Sequence, residues 1–510
     1  MELSRRYGLL LHPTSLPGPW GIGTLGPEAR QFVDWLQAAG ASWWQVLPLG
    51  PTGYGNSPYQ TVSSFAGNPL LIDLEALFQR GWLTEREPLP FPTERVDYGW
   101  VDQHRWPLLR RAWSVFCERE GGRLHPGLVD FRRRQSYWIE DYALYRALKS
   151  AHDQKDWVRW PPQFKQRQPE ALAAARQRLA ADIDFHAWTQ WLFYEQWSAL
   201  RAYAAERGVR IIGDIPIFVS RDAPEVWAHP ELFHLDAQGR PEVVAGVPPD
   251  YFSATGQLWG NPLYDWPQHR AQGFAWWVER LRTVLETCDL VRIDHFRGFQ
   301  AYWEVPADAD TAVAGRWVEA PGRALFATVR EQLGDIPVIA EDLGVITPEV
   351  ERLRDDLGLP GMKVLQFAFD GDADNAFLPH HHPAHGRYLV YPGTHDNDTS
   401  LGWYRKLERK RRAEVRDYLL SYDLPLEPDT VVPWSLLQLA FKSPGRLAVA
   451  CLQDALGLDS WARMNTPAVA EGNWTWRCAP EALTEALAAQ LRAAAAAEER
   501  LADQGPAPGA

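Results

Sequence analysis

Positive charge is in deficit in this chain: 52 lysines and arginines against 65 aspartates and glutamates give a formal net charge of −13. A nucleic-acid partner asks for a basic face, so that class is excluded. Cysteine is scarce, four in 510 residues. Cys117, Cys288, Cys451 and Cys478 stand far apart with no paired spacing, which is neither a disulfide framework nor a zinc signature and suits a reducing compartment. Long hydrophobic runs are missing as well. Nothing approaches the roughly 18 apolar residues that mark a membrane span. The N-terminal MELSRRYGLLLHPTSLPG offers only three leucines before proline and glycine interrupt it, which argues against a signal peptide. The expectation is a cytoplasmic protein with no membrane and no nucleic-acid partner, and no fixed-period repeat is visible.

What is abundant is tryptophan, with 26 residues. Indole faces stack on the apolar faces of pyranose rings, although core packing accounts for many such residues. Apolar strand-like runs fall at 7–11, 43–49, 209–218, 290–294, 336–343, 361–369, 388–394 and 446–451. Helical patterns alternate with them. Over 27–39, Phe32, Trp35, Leu36 and Ala39 form an i, i+3, i+4, i+7 stripe. After 343, Thr347 reads as an N-cap, Pro348 as the first helical residue and Gly358 as the stop. Eight strands alternating with helices predict an α/β fold, a (β/α)8 TIM barrel. It is expected to fill residues 1–483 as one catalytic domain. Insertions are expected at about 51–205 (a loop plus a helical subdomain) and at about 220–275 (a loop subdomain). An Ala-rich terminal helix and frayed tail follow at 484–510.

The stretch LVRIDHFRGF (290–299) carries the densest chemistry. Residues two apart in a strand share a face, so Arg292 and Asp294 point one way and Val291 and Ile293 the other. An arginine beside a carboxylate favours its ionised form. Three further acids end apolar strands: Asp214, Glu341 and Asp396. In a barrel such ends converge on one face, where catalytic groups sit. Clustered acids also hold divalent cations, but Arg292 and Arg297 argue against a cation there. The His380, His381, His382, His385 group lacks a matching acid or cysteine spacing, so no metal is expected. A retaining glycosidic mechanism pairs an ionised carboxylate with a protonated acid. Asp294 suits the first role. Glu341, preceded by apolar Ile339 and Ala340, suits the second. Asp342 is a rival that strand parity does not remove. Asp396, between His395 and Asn397, would grip sugar hydroxyls. Tyr54, Ser57 and Tyr59 in the long loop after the second strand are ligand-facing candidates. Gly21-x-Gly23-x-x-Gly26 has dinucleotide-fingerprint spacing, but it lies well past its strand and no ribose-binding acid follows the next one, so that reading is rejected.

The segments HPTSLPG, GPTGYGNSPYQ, GDIPIFV, GVPPDYFSATGQLWGNPLY, LVRIDHFRGF, IAEDLG, GMKVLQFAF, GTHDND, ARMNTP and GNWTWR occur in that order over nearly the whole chain. Together they resemble the 4-α-glucanotransferases of glycoside hydrolase family 77, in the α-amylase clan. The resemblance implies Asp294 as nucleophile, Glu341 as acid/base and Asp396 as third catalytic carboxylate. It further implies substrate contacts from Asp214, Arg292 and His395, with Tyr59, Trp259 and Asn465 nearby. Tyr251 and Phe252 would flank the acceptor side, and Tyr54 would belong to an outer glucan groove. No cofactor or metal is implied. The partners expected are α-1,4-glucans and malto-oligosaccharides, acted on by a monomer. The segment after Tyr98 and the Ala-rich end match no part of that pattern. An amylase-like hydrolase is the alternative, and a non-catalytic glucan-binding barrel would require one of the acids to be missing.

Overall fold

The computed structural model describes residues 3–86, 91–249 and 253–502. The strands follow one another as β1 (Arg6–Leu10), β2 (Trp43–Gln45), β3 (Arg210–Pro216), β4 (Val243–Val247), β5 (Gln257–Pro262), β6 (Leu290–Asp294), β7 (Ala301–Pro306), β8 (Arg316–Glu319), β9 (Val338–Ala340), β10 (Gly361–Val364), β11 (Tyr388–Tyr391) and β12 (Leu447–Cys451). Eight of them form a parallel sheet in the order β10-β11-β12-β1-β2-β3-β6-β9. Its outer strands meet where the Ala340 N–H donates to the Pro360 carbonyl at 2.9 Å. That contact draws the sheet into a barrel.

The eight strands lie where the sequence places them, several of them shorter than the apolar runs. The run 43–49 ends as strand at Gln45, ahead of Pro48, which has no N–H for a ladder. The run 336–343 ends as strand at Ala340, because the Asp342 side chain accepts the Met362 N–H at 2.7 Å in place of a backbone carbonyl. The expectation that Asp214 sits at the tip of its strand needs correcting, since β3 continues to Pro216 and Asp214 lies two residues inside it.

Alternation along these strands builds the site floor. Leu10, Trp43, Ile212, Leu290, Ile339, Met362, Leu389 and Leu447 belong to one buried cluster that fills the barrel interior. Two residues further along β3 and β6, on the same face, stand Asp214 and Arg292, and Glu341 follows Ile339 in the same way. The interior therefore turns from apolar to ionic toward the carboxyl ends of the strands. The opposite faces, including Ile211, Ile215, Val291, Ile293 and Ala340, pack into the outer core.

The helix Pro27–Ala39 buries Phe32, Trp35, Leu36 and Ala39 as its spacing predicts, and Gly40 (φ 77°) ends it in the left-handed region. The terminal helix Glu485–Ala497 lies against it, and Arg492 donates to the Gln37 and Ala38 carbonyls, both at 2.7 Å. The helix Pro348–Asp356 begins at the predicted proline, yet the Thr347 side chain caps no backbone N–H. The region between β2 and β3 is largely helical. Its longest helix, Ala180–Glu206, steadies the loop that follows β2: Gln190 Oε1 accepts the Gly67 N–H at 2.8 Å and Gln196 Oε1 accepts the Asp73 N–H at 2.7 Å. Most tryptophans are buried in the core, including Trp44, Trp188, Trp227 and Trp277.

A second sheet is the main departure from the sequence reading. The 220–275 stretch, read as loop, contributes β4 and β5, which join β7 and β8 in the antiparallel order β5-β4-β7-β8. Glycines at 246 and 260 and prolines at 248 and 262 blur the strand pattern, and the partner strands lie beyond β6. The sheet carries Trp259 to within 4.9 Å, ring to ring, of His295 beside the strand-end acids.

Candidate active site

The site starts from Arg292. Its side chain is buried between two carboxylates, with Nη1 2.7 Å from Asp214 Oδ2 and Nη2 2.8 Å from Asp294 Oδ1. The register makes this geometry unavoidable: Asp214 pairs with Arg292 across β3 and β6, and Asp294 follows on the same face. Tyr59 donates its hydroxyl proton to Asp214 Oδ2 at 2.8 Å. Burial pushes the Asp214 carboxyl up to about 6, with Arg292 opposing. Asp294 is engaged only through Oδ1. Among the described residues Oδ2 accepts no hydrogen bond, and the side chain is 27% exposed to the cleft.

Glu341 comes from the neighbouring strand end. Ile293 and Ala340 are partners in the β6–β9 pair, and the Glu341 N–H donates to the Ile293 carbonyl at 3.1 Å. Asp294 and Glu341 are thus the next residues up adjacent strands. Two backbone groups hold the Glu341 carboxyl: His295 N–H to Oε2 at 2.7 Å and Leu343 N–H to Oε1 at 2.9 Å. His295 reaches it by adopting a left-handed backbone, φ 53° and ψ 46°, uncommon for a residue with a side chain. Burial first and the Asp294 charge second push the Glu341 carboxyl up to about 8, which favours its protonated form. Asp342, the rival, is turned away, paired with Arg354 of the helix Pro348–Asp356 and with the Met362 N–H.

Asp396 follows β11 on a loop. Asn465 Nδ2 donates to its Oδ1 at 2.7 Å, and His395 Nε2 lies 3.2 Å from its Oδ2. Its side chain is 47% exposed; the protein packed around it penalises charge, but His395, Asn465 and Arg292 outweigh that and hold the carboxyl well below the usual range. The His395 ring stacks on Tyr59 at 4.8 Å. Tyr59 is in turn set by Ser57, whose Oγ accepts the Tyr59 N–H at 3.2 Å. Ser57 therefore shapes the turn, and Tyr54, 79% exposed, stands on the outer surface of the same loop. Tyr251 and Phe252 lie outside the described residues.

Asp214, Arg292, Asp294, Glu341, Tyr59, His395, Asp396 and Asn465 are brought together, with Trp259 at the edge. Sequence reasoning missed Arg463, which bridges two loops: Nε donates to the Asn465 carbonyl and Nη2 to the Asp396 carbonyl, both at 2.6 Å. It also missed the His295 and Leu343 N–H groups, which no side-chain pattern signals. The His380–His385 nitrogens go elsewhere. His382 meets Ser443 and the Phe377 carbonyl, His380 meets Tyr418, and His381 meets the Ala373 carbonyl. Of the fingerprint-like glycines, Gly23 packs so closely that a Cβ would fall 1.9 Å from the Pro13 carbonyl oxygen. Its role is a tight loop.

The family model described as 4-alpha-glucanotransferase matches residues 11–484. The chain belongs to the 4-alpha-glucanotransferase family. It is 57% identical over 501 residues to the 4-alpha-glucanotransferase of Thermus thermophilus, covering 98% of this chain and 100% of that protein. The 4-alpha-glucanotransferase of Synechocystis is 47% identical over 493 residues, covering 96% of each chain. Among solved structures, the amylomaltase from Streptococcus agalactiae in complex with acarbose superposes with a TM-score of 0.93 at 41% identity, covering 98% of this chain and 100% of that one. Family membership gives this chain 4-alpha-glucanotransferase activity on a TIM-barrel fold. No helix among the described residues is long and apolar enough to cross a membrane.

Proposed function

We propose that this 4-alpha-glucanotransferase moves a segment of an α-1,4-glucan to the 4-OH of another glucan, by a retaining double displacement with Asp294 as nucleophile and Glu341 as acid/base. The observation that carries this reading is the contrast within the adjacent pair. Asp294 has a guanidinium counter-charge at 2.8 Å and an Oδ2 that accepts no hydrogen bond among the described residues, while the buried Glu341 carboxyl is held by the His295 and Leu343 N–H groups beside the Asp294 charge, surroundings that raise its pKa. Glu341 gives its proton to the glycosidic oxygen as Asp294 Oδ2 attacks C1, and the C1–O bond breaks to release the leaving glucan. The glycosyl–Asp294 ester then carries the retained segment. Loss of the Asp294 charge on ester formation, together with the proton already given up, leaves Glu341 as the base for the incoming 4-OH. Two inversions give net retention.

Asp396 stays ionised and stabilises the positively charged, oxocarbenium-like transition state while holding sugar hydroxyls. Asp214, Tyr59, Arg292, His395 and Asn465 line the same subsite, with Trp259 as an apolar wall. Tyr251 and Phe252 would face the acceptor and Tyr54 an outer stretch of glucan. The acarbose bound by the Streptococcus agalactiae amylomaltase supports a saccharide in the corresponding cleft. Residues 1–483 are assigned as the catalytic barrel with its insertions and 484–510 as a terminal appendage, in a chain that acts as a monomer. Four free cysteines, Cys117 exposed among them, support a reducing compartment and hence the cytoplasm.

Incubation with maltotriose tests the reading. Transfer gives glucose and a ladder of longer oligosaccharides while total reducing ends stay constant. A steady rise in reducing ends would instead mark an amylase-like hydrolase.

A further inference from the structure

At the end of the barrel opposite the carboxylates there is a cleft of about 520 Å3. Its walls come from residues just ahead of consecutive strands: Ile336 and Pro337 before β9, Leu359 and Pro360 before β10, Arg387 before β11 and Arg446 before β12. The packed interior layer of Leu290, Ile339, Met362 and Leu389 separates this mouth from the catalytic one. The cleft lies at the β9–β10 seam, where the Ala340–Pro360 hydrogen bond closes the sheet.

The charge of the lining is opposite to that of the protein. Arg330, Arg387, Arg446 and His385 face Asp335 as the one lining acid, in a chain of net charge −13. Arg330 is already paired with Asp335, Nε to Oδ1 at 2.9 Å. The Arg387 and Arg446 guanidinium groups have no hydrogen-bond or ion-pair partner among the described residues. Their backbones are tied together, since the Arg446 N–H donates to the Gly386 carbonyl at 2.8 Å. Gly386, at φ +67°, lets this turn close on the Pro444 carbonyl, since a Cβ there would fall 2.5 Å from its oxygen. His385 Nδ1 accepts the Arg387 N–H at 3.0 Å. The rest of the wall is apolar, with Phe326, Val329 and Leu357.

We infer that this cleft binds a small organic phosphomonoester, with the phosphate gripped by Arg387 and Arg446 and the organic body on the apolar wall. Guanidinium groups match phosphate oxygens in a bidentate geometry. A phosphomonoester carries close to two negative charges at neutral pH, the number needed to neutralise two unpaired arginines. The volume is in the range of small-molecule sites, about 300–1,000 Å3. A concave cleft suits such a molecule better than a flat polyanionic surface.

The test is titration calorimetry on the full chain with adenosine 5′-monophosphate, inorganic phosphate and adenosine, alongside the double variant Arg387→Ser, Arg446→Ser. Both side chains are exposed and unpartnered, so the variant keeps the fold and the basal maltotriose transfer rate. Adenosine 5′-monophosphate is expected to bind saturably with a Kd below about 1 mM at low salt. Inorganic phosphate should compete with it, and adenosine should bind at least about tenfold more weakly. The double variant should weaken adenosine 5′-monophosphate by about 100-fold, the loss of two charge-assisted contacts. Three results overturn the inference: no saturation up to about 10 mM, adenosine binding as tightly as its phosphate, or a double variant that binds unchanged.

Discussion

Glu341 and Asp396 are carboxylates of one site, the first buried and the second 47% exposed, and the protein moves them in opposite directions. Glu341 sits on a strand end beside another acid, so burial and the Asp294 charge push it up to about 8. Asp396 sits on a loop between His395 and Asn465, which hold it well below the usual range. The contrast extends to the two halves of the site. The strand-borne half (Asp214, Arg292, Asp294, Glu341) takes its spacing from β3, β6 and β9, whose register leaves little freedom. The loop-borne half (Tyr59, His395, Asp396, Asn465) takes its spacing from side-chain hydrogen bonds that could be removed one at a time. Strands place the groups that make and break bonds. Loops supply partners that fix charge and orientation.

If the halves differ in this way, they should fail differently. Asp294→Asn removes the nucleophile from the strand-borne half, and kcat should fall by roughly 10⁴ or more with little change in melting temperature. Survival of more than a small fraction of the activity would mean the nucleophile is another acid. Arg463→Ala frees the Asn465 segment from the Asp396 backbone in the loop-borne half. Loss of positioning there should cost about 10- to 100-fold in kcat. Arg463→Lys, which keeps one donor, should recover part of it, and full activity in the alanine variant would show that the two loops hold without the bridge. The strand-borne half should also govern the alkaline limb of the pH profile. Transfer requires protonated Glu341, so kcat/KM should fall about tenfold per unit above pH 8. An alkaline limb unchanged in Glu341→Gln would contradict the assignment. The smallest effect belongs to Ser57→Ala, which loses the turn contact that sets Tyr59. A few-fold rise in KM with kcat nearly unchanged is expected, a turn cap being worth about 1 kcal/mol.

The same division explains what the sequence could reveal. The strand-borne half was legible because period-two alternation and parallel register are local rules. From Arg292 and Asp294 alone, the shared face follows, and Asp214 and Glu341 join once the barrel is recognised. Glu341 against Asp342 was not decidable by parity, since β9 ends at Ala340 and the choice depends on Arg354 twelve residues on. In the loop-borne half Asp396 came from the strand-end pattern and Tyr59 from its loop's composition, while His395 and Asn465 came as site residues from motif likeness. Nothing local links His395 to Tyr59 or Arg463 to Asp396, whose contacts join residues 336 and 67 positions apart. The small sheet was hidden for a similar reason, because β4 and β5 are glycine- and proline-interrupted and acquire their partners only after β6.

The most direct test uses Glu341→Gln with α-maltosyl fluoride, whose leaving group departs without an acid. The first displacement should proceed while the second, lacking its base, stalls. Intact-mass measurement should then show the chain carrying one maltosyl group, and peptide mapping should place it on Asp294. A maltosyl group on Asp214 or Asp396, or an unmodified chain that still turns over the fluoride, would contradict a covalent double displacement through Asp294.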